Sequence, residues 1–390
     1  MHRPFQKSYA RALSFEQPAE ATHTLRQTFD ELVLPELISK RRRNDTISEY
    51  RTHLRRWDEY WKSRKTKGNQ NHRINDPVIG TVSRRDLLEW RTHLAETLEP
   101  GGPRTLNKHL GTVHAVLATA VKHGWLWSAP KLDPLPCRRA APKRYLTYEQ
   151  IAALYEACGE ATWPPRRSVR SERKRQPPAV EWRAALVLFF NYGFRTQELI
   201  SYERGMRTLT WGQVSFEAET PAEAGHARCE AGWLWYVPQK QERDKDEVLV
   251  LPLNAVVRAH LESLKPSGTL DPQRPIFDWP LNPVALYEQW RKLLEISEVR
   301  PKPNLKTGEQ EAYHLKNLRK TCTTWHNAHC PGISIFVTGH ADDRDLDAAD
   351  RALQRSSRVS QTHYENGENL LVAHLRDFPQ PEPFRRILDR

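Results

Sequence analysis

No stretch of this sequence is apolar for long enough to cross a bilayer, so nothing in it reads as a membrane span. Its opening residues, MHRPFQKSYARALSFEQ, lack the apolar centre of a signal peptide. Cysteine is sparse and scattered: Cys137, Cys158, Cys229, Cys322 and Cys330 show none of the paired spacings of a zinc site. These absences point to a reduced, cytoplasmic protein without structural zinc. A Walker loop is missing, as is a G-x-G-x-x-G following a strand, so no nucleotide or other cofactor is expected. Nor is there an internal repeat. What the sequence does have is positive charge: 60 Lys and Arg stand against 48 Asp and Glu, a formal net charge of +12. A pI of about 9.5 suits a polyanionic partner. A length of 390 residues predicts two or three domains.

Residues 1–23 are polar, without sustained periodicity, and read as a flexible arm. Apolar residues Leu25, Phe29, Leu32, Val33 and Leu37 then recur at helical intervals, with Pro35 expected to break or kink the helix. A basic cluster, Lys40 with Arg41, Arg42 and Arg43, precedes a helix that Asp45 or Thr46 can cap. Ile47, Tyr50, Leu54, Trp57 and Trp61 form its apolar face; Arg51, Arg55 and Arg56 lie on the other. That basic face is either solvated or a phosphate contact, and the flanking KRRR and KSRKTK runs favour phosphate. Further helices start at Ser83 and at Pro103, the latter stopping at Gly124. Residues 24–132 are therefore an all-helical block. Residues 133–145, proline-rich and basic, read as a linker.

From 146 onward the pattern is mixed. Thr147 and Gln150 form a capping box. The stretch TWPPRRSVRSERKRQPP reads as an exposed basic loop. The apolar run Ala185 to Phe190, a turn at Gly193 and a helix opening near Arg195 follow. TLTWGQVSF and WLWYVPQKQERDKDEVLVLPL read as strands, the latter a hairpin whose charged turn carries Lys240 and Lys245. LNPVALYEQWRKLLEISEV and ENLLVAHLRDF read as helices, and PQPEPFRRILDR as a tail. The fold class expected is α+β, mainly α-helical, with a small antiparallel sheet in the second domain.

The chemistry concentrates between Tyr313 and Tyr364. Lys316 and Arg319 come first, then Gly339-His340, then Tyr364 in a polar setting. Cations that hold the charge of a phosphorane-like transition state, with a tyrosine hydroxyl to attack phosphorus, are what phosphodiester transesterification needs. Arg195 supplies a second guanidinium at a helix N-terminus, where the backbone also favours anions. No metal is required, because the arginines carry the electrophilic charge.

The ordered set G-F-R-T-Q-E-L, a lysine after a strand, K-N-L-R-K-T, T-G-H and T-H-Y resembles the tyrosine recombinase (phage integrase) family, over roughly Thr24 to the end. The resemblance implies a helical core-binding (SAM-like) domain followed by a catalytic domain. It makes Arg195 and Arg319 the two catalytic arginines, Lys240 the hairpin general acid, His340 the late histidine and Tyr364 the nucleophile. Lys245 competes with Lys240. It further implies double-stranded DNA as partner, contacted by Thr105, Asn107 and Lys108 and, where the linker crosses the duplex, by Arg138, Arg139 and Lys143. A tetramer assembled on paired sites is expected, with the segment after Tyr364 packing on the adjacent protomer or, alternatively, in cis. Two departures stand out. Lys316 occupies a position where the family usually has histidine, and His314 nearby does not match the spacing. The 24 positions from His340 to Tyr364 exceed the usual spacer. The resemblance implies a site-specific recombinase; a type IB topoisomerase-like relaxing enzyme and a non-catalytic DNA-binding relative are the alternatives.

Overall fold

The apolar positions separate into two cores, one in each of two units, Met1–Ala140 and Ala141–Arg390. The computed structural model describes residues 22–40, 42, 44–67, 77–98, 102–137, 144–165, 167–168, 171–174, 176–200, 208–219, 228–238, 248–266, 270–301, 312–338 and 367–389.

The first unit is helical. Thr24 caps α1 (Leu25–Thr28) through a reciprocal box with Gln27. At Pro35, where a break or a kink is expected, the helix is not broken. The chain instead widens into one π-helical turn, Phe29–Val33, and resumes as α2 (Leu34–Ser39). Pro35 thus falls in the first turn of α2, where its missing N–H is least costly. Helix α3 (Asn44–Lys67) starts earlier than expected, which puts Asp45 in its first turn rather than at the cap. A carboxylate there still suits the positive end of the helix dipole. Ser83 caps α4 (Arg84–Thr97) with Asp86, and α5 (Pro103–Lys122) ends just before Gly124, which adopts φ 77°. Leu54, Trp57, Trp90, Val113, Val116 and Leu117 make the centre of the core. Trp57 meets Trp90 edge-on at 5.0 Å.

In the second unit, the Thr147–Gln150 box opens α6 (Tyr148–Ala157). The stretch read as a basic loop contains a short antiparallel ribbon, β1 (Arg167–Ser168) with β2 (Ser171–Lys174). Helix α7 (Pro178–Tyr192) is apolar almost all round and buried accordingly, packed against α9 (Ala255–Leu264) and α11 (Lys316–His329). Gly193 ends α7 in the left-handed conformation, and α8 (Thr196–Leu199) follows. Strands β3 (Val214–Ser215), β4 (Trp233–Tyr236) and β5 (Leu249–Pro252) form one antiparallel sheet in that order. Of TLTWGQVSF only Val214–Ser215 are strand; Trp211–Gln213 form a 3-10 turn. Helix α9 was not singled out by the sequence pattern. Helix α10 (Pro283–Ile296) lies where expected, and α12 (Ser334–Thr338), α13 (Gly367–Asp377) and α14 (Glu382–Arg385) follow among the described residues.

Helix α13 docks on its own unit. Leu375 is fully buried, and Val372 packs against the Cys229–Trp233 cluster. The tail beyond it also docks, burying Phe378 and Phe384. No described helix is long and apolar enough to cross a membrane.

Candidate active site

Helix α7 runs out at Gly193, and Arg195 sits at the N-terminal cap of α8. Glu198, one turn into α8, folds back. Its carboxylate accepts the Arg195 backbone N–H at 2.7 Å and the Arg195 guanidinium at 2.6 Å. Arg319 approaches the same carboxylate from α11 at 3.9 Å. Glu198 is only 2% exposed, so this charge is held out of water between two guanidinium groups. The sequence therefore brings two arginines, 124 positions apart, onto one buried carboxylate.

Arg319 is also fixed by main chain. It donates to the Gly193 carbonyl and, at 2.7 Å, to the Thr338 carbonyl. Burial, together with the neighbouring Arg195 charge, lowers its pKa from the usual arginine value. Thr338 ends α12, and Gly339 and His340 come next in sequence. Gly193 cannot be another residue without strain. Its φ is +59°, and a Cβ would lie 3.0 Å from both Cys322 Sγ and Thr338 Cγ2. Tyr192, just before it, donates its hydroxyl to the Pro252 carbonyl at 3.0 Å and ties the end of α7 to β5.

Lys316 is exposed on the first turn of α11, one turn ahead of Arg319 and so on the same helix face. His314 is exposed and precedes the helix. Strand β4 contributes Tyr236, whose buried hydroxyl has no hydrogen-bond partner among the described residues. Burial raises that phenol's pKa, and the Glu198 charge adds to the effect. Glu198 and Thr338 stood out in the sequence only as members of the G-F-R-T-Q-E-L and T-G-H motifs, and Tyr236 was passed over. The run WLWY in β4 is apolar or aromatic throughout and its burial does not alternate, so no local pattern marked Tyr236. Lys240, Lys245, His340 and Tyr364 lie outside the described residues.

In the first unit, Arg42, Arg51 and Arg55 are exposed, the latter two on the outer face of α3. Thr105 and Lys108 are exposed on α5, Lys108 pairing with Glu49 at 3.0 Å. Asn107 is committed elsewhere: its side-chain amide donates to the Leu135 carbonyl at 2.9 Å and accepts the Leu135 N–H at 2.8 Å. It pins the segment before the basic stretch to α5. Arg41, Arg43, Arg138, Arg139 and Lys143 lie outside the described residues.

No protein-family model matches the chain, and no curated protein matches it in sequence. Its fold has solved counterparts. A lambda integrase (residues 75–356) dimer bound to a COC′ core site is similar at TM-score 0.51 and 11% identity, over 83% of this chain and 98% of that one. A lambda integrase tetramer bound to a Holliday junction is similar at TM-score 0.51 and 11% identity, over 84% and 81%. An arginine-to-lysine variant of the Tn1549 transposon integrase with a circular intermediate DNA is similar at TM-score 0.52 and 15% identity, over 86% and 99%. The chain shares its fold with these integrases, the fold that the motif order implied.

Proposed function

We propose that this chain is a site-specific DNA recombinase that cuts and rejoins strands through a 3′-phosphotyrosine. The observation that carries this reading is the convergence of Arg195 and Arg319 on buried Glu198. Arg319 in addition grips the carbonyl just ahead of Gly339-His340. Two largely buried guanidiniums held by one carboxylate are preorganised for the non-bridging oxygens of a phosphodiester.

In the reaction, the Tyr364 oxygen bonds to phosphorus as the bond from phosphorus to the 5′ oxygen breaks. The tyrosine proton passes to solvent water, and a proton reaches the 5′ oxygen from a hairpin lysine, Lys240 or Lys245, which regains one from solvent. A free tyrosine titrates near pH 10, so the cationic surround that binds the phosphate also has to favour phenolate. His340 bonds the scissile phosphate. Lys316, at the start of α11, donates to a phosphate oxygen or steadies the tyrosine. The linkage conserves the bond energy, so rejoining needs no nucleotide. Double-stranded DNA is the substrate. The tetrameric assembly of lambda integrase on a Holliday junction supports a tetramer on paired sites for this chain, with Arg42, Arg51, Arg55, Thr105 and Lys108 among the phosphate contacts of the helical unit.

The test is covalency. DNA fragments that stay attached to the denatured wild-type protein should share one sequence. A nicked duplex carrying that sequence should trap wild type, while Tyr364→Phe binds it and forms no adduct. A Tyr364→Phe protein that traps as well as wild type refutes the nucleophile. Relaxation without strand exchange between duplexes replaces the recombinase by a topoisomerase-like enzyme.

A further inference from the structure

Two histidines lie behind the arginines, and the proposed chemistry uses neither. His326 is on α11, seven residues after Arg319, which places both on one face two turns apart. It is fully buried. Its Nε2 meets the Asn191 carbonyl at 2.8 Å, and its Nδ1 meets Nε2 of His374 at 2.7 Å. His374 belongs to α13, the helix that begins three residues after Tyr364 in sequence.

The Asn191 carbonyl lacks its ordinary partner for a specific reason. Continuing α7 would give it the backbone N–H of Arg195, four residues on. That N–H is taken by Glu198 at 2.7 Å. His326 fills the vacancy. One face of α11 therefore grips the frayed end of α7 twice, Arg319 at the Gly193 carbonyl and His326 at the Asn191 carbonyl. Between them these bonds set the register of the α11 arginine against the loop that carries Arg195.

The proton positions follow. A carbonyl only accepts, so His326 Nε2 carries its hydrogen. Burial pushes His326 down to about 3, so the ring is neutral and its Nδ1 is a lone pair. His374 Nε2 must then be the donor to it. Protonating His374 on Nδ1 leaves that donation intact, so the pair is a lock rather than a pH switch. Phe378 stacks on the His326 ring at 3.9 Å and 14°, and Gln380 bonds the Asn191 side chain in both directions at 2.7 and 3.0 Å. Asn254 donates to the same Asn191 oxygen at 2.8 Å. The segment that follows Tyr364 in sequence is thereby bonded to the side chains of His326 and Asn191, and through His326 to the carbonyl at the end of α7.

We propose that His326 and His374 are positioning residues of the two-arginine site: His326 holds the end of α7 in register with α11, and His374 sets the tautomer that lets it do so. The proposal rests on reading that site as the recombinase centre. It makes docking of the post-tyrosine helix a condition for correct arginine geometry.

The test uses the full chain with 15N-labelled histidine. In wild type, His326 should appear as a neutral Nε2–H ring that does not titrate between pH 5 and 8, a window around the usual histidine value of about 6.5. His374→Leu should change the His326 nitrogen signals and slow adduct formation on the trapped duplex by at least about tenfold, the scale of a small misplacement of catalytic groups. Binding of that duplex should stay within about twofold, because the phosphate contacts that dominate affinity are elsewhere. His374→Gln, which can still present an N–H at the Nε2 position, should recover most of the rate. A wild-type His326 in the Nδ1–H tautomer, or signals unmoved by His374→Leu, overturns the proposal. So does a Gln variant as slow as the Leu variant when both melt at the same temperature. Failure of wild type to form any adduct would instead overturn the recombinase reading, and the imidazole spectrum would still decide the contact.

Discussion

Glu198 is the side chain on which the site stands, and replacing it separates charge from shape. The carboxylate is 2% exposed, bonds Arg195 twice at 2.6 and 2.7 Å, and lies 3.9 Å from Arg319. Glu198→Ala leaves two guanidiniums facing each other in a poorly hydrated pocket; removing one partner of such a pair costs about 3–5 kcal/mol. Glu198→Gln keeps the outline and an acceptor for the Arg195 backbone N–H. Its bonds fall from charge-assisted to neutral, roughly half the strength, so the expected cost is about 2 kcal/mol. In a unit of this size each kcal/mol lowers the melting temperature by about 2–4 °C, so the Gln variant should melt about 4–8 °C below wild type, and the Ala variant lower still. Because the defect is uncompensated positive charge, sulfate should recover part of the loss in both variants more than chloride at equal ionic strength. Thermal unfolding of the full chain followed by circular dichroism reads all three numbers. An Ala variant that melts within about 2 °C of wild type, below the shift that 1 kcal/mol produces, would refute the reading of Glu198 as the charge that holds the arginines together.

Two further outcomes follow from buried groups. His109 and His53 face each other at 4.0 Å in the helical unit, with Thr112 bonded to His53 at 2.7 Å. Burial holds His109 down to about 4 and lowers His53 as well. The fold therefore favours the neutral rings. Stability is complete above the unfolded value of about 6.5 and is lost as pH falls towards 4, by about 3 kcal/mol for His109 alone. Urea unfolding at pH 7.5 and 4.5 should show that loss in wild type and a smaller one in His109→Asn; equal slopes would refute it. Gly193→Ala should cost about 2 kcal/mol or more, from the left-handed backbone and from contacts with Cys322 and Thr338. An unchanged urea midpoint would contradict both causes.

What could be read from the sequence was local. The Thr147–Gln150 box, the apolar α7, the glycine that ends it and the helix after Arg195 each depend on residues a few positions apart, and all appear as expected. Helix α9 escaped because Val256 and Val257 prolong the valine- and leucine-rich composition of β5; Asn254, which caps Val257 at 2.9 Å, was the signal for it. The ribbon of β1 and β2 escaped because its strands are charged and carry no apolar alternation. Pro35 looked like a break because spacing alone does not reveal a π-helical turn ahead of it. The commitments of Asn107 to Leu135, 28 positions away, and of His326 to His374, 48 positions away, have no local signature at all.

The kind of bond that holds the site tolerates substitution at the residues that accept it. Arg319 bonds the Gly193 and Thr338 carbonyls, His326 the Asn191 carbonyl, and Tyr192 the Pro252 carbonyl. Every acceptor in that set is main chain. A main-chain carbonyl survives substitution of its own residue, so only the donor and the local backbone path need be retained. Gly193 is the exception, because there the path itself excludes a side chain. The same logic separates two kinds of position around the arginines. Substituting the acceptor residues changes packing while leaving the hydrogen-bond geometry available. Substituting a donor strands a buried carbonyl, at about 1–3 kcal/mol each, and loosens the register between α7 and α11. The site is thus specified by a handful of donor side chains, the Glu198 carboxylate and one glycine, and the rest of the chain is constrained mainly by burial.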